Sequence, residues 1–115
     1  LDKSVNIGPS SEVKSSIICA KTAITHLNYI GNSTNSTIGQ KVNFKGGSIA
    51  ANHYNERADK RILVKCKNTV IDTGVEKFGA LVGDNSRIGA NAVLSLGTIF
   101  EKKSIVKRLE LIEQL

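Results

Sequence analysis

The sequence predicts an all-β fold, a parallel β-helix assembled from hexapeptide repeats, on three observations. Aliphatic residues return about every six positions, small residues often follow them, and the alternation of long hairpin strands is missing. Ile7, Val13, Ile18, Ile24 and Ile30 open the run. Ile38, Phe44 and Ala50 continue it after a two-residue slip, and Val82, Ile88, Leu94 and Phe100 close it at a strict spacing of six. In such a repeat each unit supplies one short strand and three units make one triangular coil, so the recurring aliphatic side chain points inward. Glycine or serine follows it in Ile7-Gly8, Ile30-Gly31, Ile38-Gly39, Val82-Gly83, Ile88-Gly89 and Leu94-Ser95. There the chain is expected to turn a corner through conformations that cost glycine least. An antiparallel sandwich with glycine-marked turns is the competing architecture, since it also has short strands at regular spacing.

Taken in order, residues 5 to 50 read as coils, with the polar run 32–37 lengthening one corner. The stretch 53–61 has no aliphatic residue until Ile62, so an exposed loop is expected there, the kind of segment that carries binding groups on a rigid scaffold. Coils are expected to resume at about Ile62, loosely through Val64 and Val70, with the strict repeat returning at Leu81-Val82. From Glu101 the spacing changes. Ile105, Val106, Leu109, Ile112 and Leu115 fall at helical intervals, which predicts an amphipathic C-terminal helix over 101–115 that covers the open last coil.

Composition fits one modest domain. Aromatic residues make up 4% of the 115, so the core must come from Ile, Val, Leu and Ala. No apolar run approaches the roughly 20 residues of a membrane span, and no secretory signal is visible. The chain begins at Leu1 and contains no Met, which points to a portion of a longer protein with an N-terminal partner domain. The net charge of +6 favours phosphate-bearing ligands, yet the cations form no dense run and have no interleaved aromatics, so nucleic acid is not expected as a partner. Cys19 and Cys66 are too few for a zinc site and are expected as packing residues in a reducing cytoplasm. Asn32-Ser33-Thr34 and Asn35-Ser36-Thr37 match the glycosylation pattern but read more simply as a polar loop.

Two segments carry a resemblance. His26-Leu27-Asn28-Tyr29-Ile30-Gly31, then Val42-Asn43-Phe44-Lys45-Gly46-Gly47-Ser48-Ile49 and Ala51-Asn52, resemble the acetyltransferase domain of bifunctional N-acetylglucosamine-1-phosphate uridyltransferases, which carry H-L-x-Y-[LI]-G and then V-N-I-G-A-G-T-I-x-x-N-Y. Glu76-Lys77-Phe78-Gly79-Ala80-Leu81-Val82-Gly83 is similar to archaeal sugar-1-phosphate nucleotidylyltransferase/acetyltransferases. The resemblance covers about Val5 to Phe100 and implies the left hand of the β-helix, a homotrimer, and N-acetylation of glucosamine 1-phosphate from acetyl-CoA. It requires no metal for that transfer. Mg2+ would enter with a nucleotidyltransferase domain in the parent protein.

Residue by residue, the resemblance implies that His26 is the base that takes a proton from the attacking amine. Imidazole suits the task because it titrates near neutral pH. Asn52 would help orient that attack, and Tyr29 and Asn43 would contact the sugar phosphate. Lys14, twelve residues before His26, stands at the separation of a phosphate-binding lysine. Either Arg57 or Lys60 would replace the family's loop lysine near the phosphate. Gly46 and Ala90 would lie along the acetyl-CoA groove. The sequence departs from the pattern where His53 stands between Asn52 and Tyr54, and where the loop after Gly31 is two residues longer. A non-catalytic, trimerising or regulatory β-helix is the alternative reading. A three-histidine zinc enzyme of the same architecture is disfavoured, because His26 and His53 are the two histidines of the chain.

Overall fold

Stacked turns of very short strands make up the molecule. The computed structural model describes residues 1–30 and 36–115, so Gly31, both asparagines of the glycosylation pattern and most of the loop read there lie outside the described residues. The first turn holds β1 (Asn6–Ile7), β2 (Glu12–Val13) and β3 (Ile17–Ile18), and the second β4 (Ala23–Ile24), β5 (Tyr29–Ile30) and β6 (Thr37–Ile38). The third holds β7 (Asn43–Phe44) and β8 (Ile49–Ala50), then β9 (Leu63–Cys66) and β10 (Thr69–Asp72) outside the stack, then β11 (Ala80–Val82). Next come β12 (Arg87–Ile88), β13 (Val93–Leu94) and β14 (Thr98–Phe100), and last β15 (Ile105–Val106) and β16 (Leu111–Ile112). Three parallel sheets result: β1-β4-β7-β12-β15, β2-β5-β8-β13-β16 and β3-β6-β11-β14, called here the first, second and third.

Register turns the hexapeptide pattern into a core. Ile7, Ile24, Phe44, Ile88 and Val106 lie in one column, and Val13, Ile30, Ala50, Leu94 and Ile112 in another. Ile18, Ile38, Val82 and Phe100 form the third. Most of these side chains are fully buried, and Phe44, the bulkiest of them, shares its turn with Ala50, which keeps the volume of a narrow interior even. The pairing survives unequal turns. The two-residue slip falls between Ile30 and Thr37, and a 26-residue excess falls between Ala50 and Leu94, because surplus chain can leave at a corner while a one-residue shift in a strand would turn its aliphatic residue outward.

The glycines that follow the aliphatic residues act differently from the expectation. Gly8, Gly39, Gly83 and Gly89 are not in the positive-φ region. A Cβ on Gly8 would run into the Thr25 carbonyl, and one on Gly83 or Gly89 would overlap the backbone of Glu101-Lys102 or Lys107-Arg108. They are small so that successive turns can approach. Positive φ falls instead two residues before most strands of the stack, at Ser4, Ser10, Ser15, Lys21, Leu27, Lys41, Gly47, Asn85, Asn91, Lys103 and Leu109. Buried hydroxyls stabilise these corners: Thr22 Oγ1 donates to the Gly39 carbonyl at 2.7 Å and accepts from Val42 N–H at 3.1 Å, and Ser86 Oγ donates to the Gly83 carbonyl at 2.8 Å.

Two expectations are corrected. Residues 101–115 contain no helix. β15 and β16 extend the first and second sheets, with Val106 beneath Ile88 and Ile112 beneath Leu94, so Phe100, Val106 and Ile112 continue the spacing of six. An isolated helix of that length is marginal, whereas the preceding turn offers a ready ladder of backbone partners. On the third sheet a side chain covers the edge: the Gln114 amide accepts from Ile99 N–H at 2.8 Å and donates to its carbonyl at 2.9 Å. Secondly, the coils resume at β11, not at Ile62. β9 and β10 form an antiparallel hairpin whose Lys67-Asn68 turn has φ of 48° and 65°, as a tight two-residue hairpin requires. Buried Ile62 and Val64 seat the hairpin against Gly97, where an added Cβ would lie 2.7 Å from Val64 Cγ1. Cys19 and Cys66 are free and half-buried, less enclosed than packing residues of the core.

The close-approach account of the corner glycines is testable by melting. Gly83→Ala, whose Cβ meets backbone, should destabilise the chain by about 3 kcal/mol, the upper end of the usual overpacking cost, while Gly74→Ala, whose Cβ meets nothing, should cost about 1 kcal/mol for its positive φ. Equal effects at the two sites would contradict it.

Candidate functional site

The edge between the first and second sheets brings together three of the residues expected to act. Here the backbone forms a ladder from turn to turn: Leu27 N–H donates to the Pro9 carbonyl, Gly47 to His26 at 3.2 Å, Asn91 to Gly46 at 3.0 Å and Leu109 to Ala90 at 2.9 Å. His26, Gly46 and Ala90 therefore occupy equivalent corners of consecutive turns, followed by Arg108. The His26 ring lies over Gly46, and a Cβ there would stand 2.7 Å from Nε2 and 3.1 Å from Cδ2. The small residue lets the imidazole lie against this corner. Ala90 continues the edge into a shallow groove with Lys45, Gly89, Lys107 and Arg108.

Sequence reading missed those three cations. Placing the hexapeptide repeats in register would have found them, because each sits one or two residues after a first-sheet aliphatic position. The corner that carries His26 also has an unusual support in Asn28, which is buried and accepts from His26 N–H at 2.9 Å.

Tyr29 and Lys14 lie on the outer face of the second sheet. Tyr29 is half-buried and pairs in register with Glu12 on one side and Ile49 on the other. Lys14 Nζ stands 2.8 Å from the Glu12 carboxylate, both side chains about half exposed. That hydrogen bond and the carboxylate charge raise the Lys14 pKa, with a further contribution from Tyr29 nearby, so the ammonium stays protonated. Asn43 belongs to the first sheet between Ala23 and Arg87, and its Oδ1 is buried with no hydrogen-bond partner among the described residues. A buried, unbonded acceptor is costly unless something else satisfies it.

The remaining candidates sit elsewhere. Asn52 is buried where the chain leaves the solenoid after β8, and its carbonyl accepts from Phe78 N–H at 3.0 Å. Residues 53–61 follow it, on the side between the second and third sheets. Arg57 lays its guanidinium 3.9 Å from the centre of the Tyr54 ring, and Lys60 Nζ donates to the Tyr54 carbonyl at 2.8 Å. A cavity of about 530 Å³ lies between this loop, the hairpin and the last turns, and Arg57 lines it with Arg61, Lys65, Ser95 and Glu113. Arg61 is occupied by Asp59 and Asp72 at 3.2 and 3.1 Å and holds the Asp59 carboxyl below its ordinary range. Of the two loop cations, Arg57 faces the cavity while Lys60 is tied to the loop's own backbone. Within one chain, then, the expected site is divided between two edges of the prism.

Among the described residues, no three His, Cys, Asp or Glu side chains converge as a metal site, and no helix is long and apolar enough to cross a membrane.

No family model matches the chain. Curated relatives do. It is 38% identical over 100 residues to the bifunctional protein GlmU of Methanococcus vannielii, a match over 87% of this chain and 23% of the relative. It is 37% identical over 91 residues to the bifunctional sugar-1-phosphate nucleotidylyltransferase/acetyltransferase of Sulfurisphaera tokodaii, over 79% of this chain and 21% of that protein. With GlmU of Buchnera aphidicola subsp. Schizaphis graminum the identity is 37% over 94 residues, 82% of this chain and 16% of the relative. The chain thus spans about a fifth of the length of these relatives. With its stacked parallel turns and the similarity along most of its length, the chain is homologous to one β-solenoid region of the bifunctional GlmU proteins and sugar-1-phosphate nucleotidylyltransferase/acetyltransferases.

Proposed function

We propose that this solenoid transfers acetyl from acetyl-CoA to the amino group of glucosamine 1-phosphate, as a step toward UDP-N-acetylglucosamine. The observation that carries the reading is the edge where the His26 ring lies over Gly46, with Ala90 on the next turn and Lys45, Lys107 and Arg108 beside it. An imidazole reaches outward there, small residues leave room for an extended thioester arm, and cations stand ready for its phosphates.

In the transfer, the amine nitrogen attacks the thioester carbonyl carbon and a C–N bond forms. Neutral His26 takes the proton released from nitrogen. As the carbonyl re-forms, the C–S bond breaks, and the imidazolium returns its proton to the departing thiolate, giving an amide and free CoA thiol. Asn43, half-buried on the first sheet, contacts the acceptor sugar in this reading, and Lys14 binds the sugar phosphate once Glu12 yields its ammonium. Asn52 and Arg57 lie away from the His26 edge within one chain. They act in this reading by completing the pocket of a neighbouring subunit in a homotrimer. In this reading the protein works in the cytoplasm, with small molecules and not nucleic acid or membrane as its partners, and Mg2+ enters only where the parent protein has a nucleotidyltransferase domain. The division between edges also favours a second reading, a non-catalytic trimerising module, which the same assays decide.

Release of free thiol from acetyl-CoA in the presence of glucosamine 1-phosphate is the direct assay. His26→Ala should lower turnover by roughly 10²- to 10⁴-fold with a smaller change in substrate binding. An unchanged rate would remove the base assignment. Titration calorimetry tests the phosphate contact: Lys14→Ala should weaken glucosamine 1-phosphate binding about tenfold and leave unphosphorylated glucosamine unaffected. An identical loss for both sugars would make Lys14 structural. In sedimentation the active species should be a trimer, and a monomer of the same specific activity would place the whole pocket within one chain.

A further inference from the structure

The strongest unassigned feature is the polar network beneath His26. The corner that carries it depends on Leu27 at φ 53°, a left-handed conformation that costs a leucine about 1–2 kcal/mol. Asn28, which follows, is 3% exposed, and its side chain reaches in two directions. Its Oδ1 accepts from His26 N–H at 2.9 Å. Its Nδ2 donates across to the next turn, to the Lys45 carbonyl at 2.8 Å and to the carbonyl and Oγ of Ser48 at 3.1 and 2.9 Å.

The orientation of this amide is dictated chemically. Exchanging its oxygen and nitrogen would set a donor against His26 N–H and an acceptor against two carbonyls. Ser48 fits the same logic. Its hydroxyl donates to the Lys45 carbonyl at 2.7 Å, which leaves its lone pairs for Asn28 Nδ2. The two residues that Asn28 grips, Lys45 and Ser48, bracket Gly46-Gly47, the glycine corner over which the imidazole lies. A single buried side chain thereby fixes the backbone that carries His26 against the backbone that carries its seat. Fully satisfied buried networks of this kind specify one arrangement, because every broken contact leaves a desolvated polar group.

The geometry points to Asn28, assisted by Ser48, as a positioning residue for acetyl transfer, one that holds the His26 imidazole over Gly46 without touching substrate. This role rests on the proposed function, but the positioning itself is measurable without turnover.

The experiment compares the full chain with Asn28→Ala, Ser48→Ala and, as control, Ser86→Ala, which removes a buried corner hydroxyl from a different edge. Proton NMR should show contacts between the His26 ring protons and the Gly46 α-protons in the wild type and in Ser86→Ala. Those contacts should disappear in Asn28→Ala and weaken in Ser48→Ala. In the thiol-release assay Asn28→Ala should lose about 10²-fold in kcat, the scale of a 1 Å misplacement, with KM for both substrates nearly unchanged. The double variant His26→Ala, Asn28→Ala should be no slower than His26→Ala alone, since Asn28 acts through the imidazole. Ring contacts that persist in Asn28→Ala, or losses that multiply in the double variant, would overturn the assignment. Should Asn28→Ala fail to fold, the Ser48→Ala contacts decide, and their full retention would overturn it equally. A wild type that releases no thiol would sink the proposed function and still leave the NMR comparison to judge the positioning.

Discussion

Everything in this molecule depends on the register of one turn upon the next. Parallel backbone ladders fix which residue lies over which, and a slip of one residue in a strand two residues long would expose its aliphatic side chain. Register stacks Ile24, Phe44 and Ile88 inside and, by the same bonds, His26, Gly46 and Ala90 along an outer edge. The core and the candidate site are two readouts of one constraint. Departures from six are tolerated where they can be expelled at a corner, as after Ala50.

The corners pay for this regularity in backbone strain, with positive φ at residues such as Lys21, Leu27, Lys41 and Leu109 that have a full side chain. At two of these corners a buried polar residue follows and compensates, Thr22 after Lys21 and Asn28 after Leu27. Thr22 and Asn28 each tie their own turn to the next. A stiff scaffold follows, on which exposed His26 keeps its place although it is outside the core.

The repeat was legible because its period belongs to neither helix nor hairpin, and its spacing named the column positions from Ile7 to Phe100. The role of glycine was read wrongly. Sequence cannot separate a glycine needed for φ from one needed for close approach, and Gly83 and Gly89 are of the second kind. Residues 101–115 misled for a related reason: Ile105, Leu109 and Ile112 satisfy a helical spacing while Val106 and Ile112 satisfy the hexapeptide one, and the exposed ladder of the preceding turn decides between them. The hairpin was missed because Val64 and Val70 imitate a loose repeat. At the candidate site the order of His26, Gly46 and Ala90 was recoverable, whereas the separation of Arg57 and Lys60 from them was not. It depends on which corner expels the insertion.

The central claim is that the edge of His26, Gly46 and Ala90 is where acetyl is transferred. A crystal structure of the full chain with CoA and glucosamine 1-phosphate tests it most directly. The account predicts the CoA sulfur beside His26, with the pantetheine arm running past Gly46 and Ala90 toward Lys107 and Arg108. CoA seated instead in the cavity at Arg57, away from any His26 of the assembly, would contradict it.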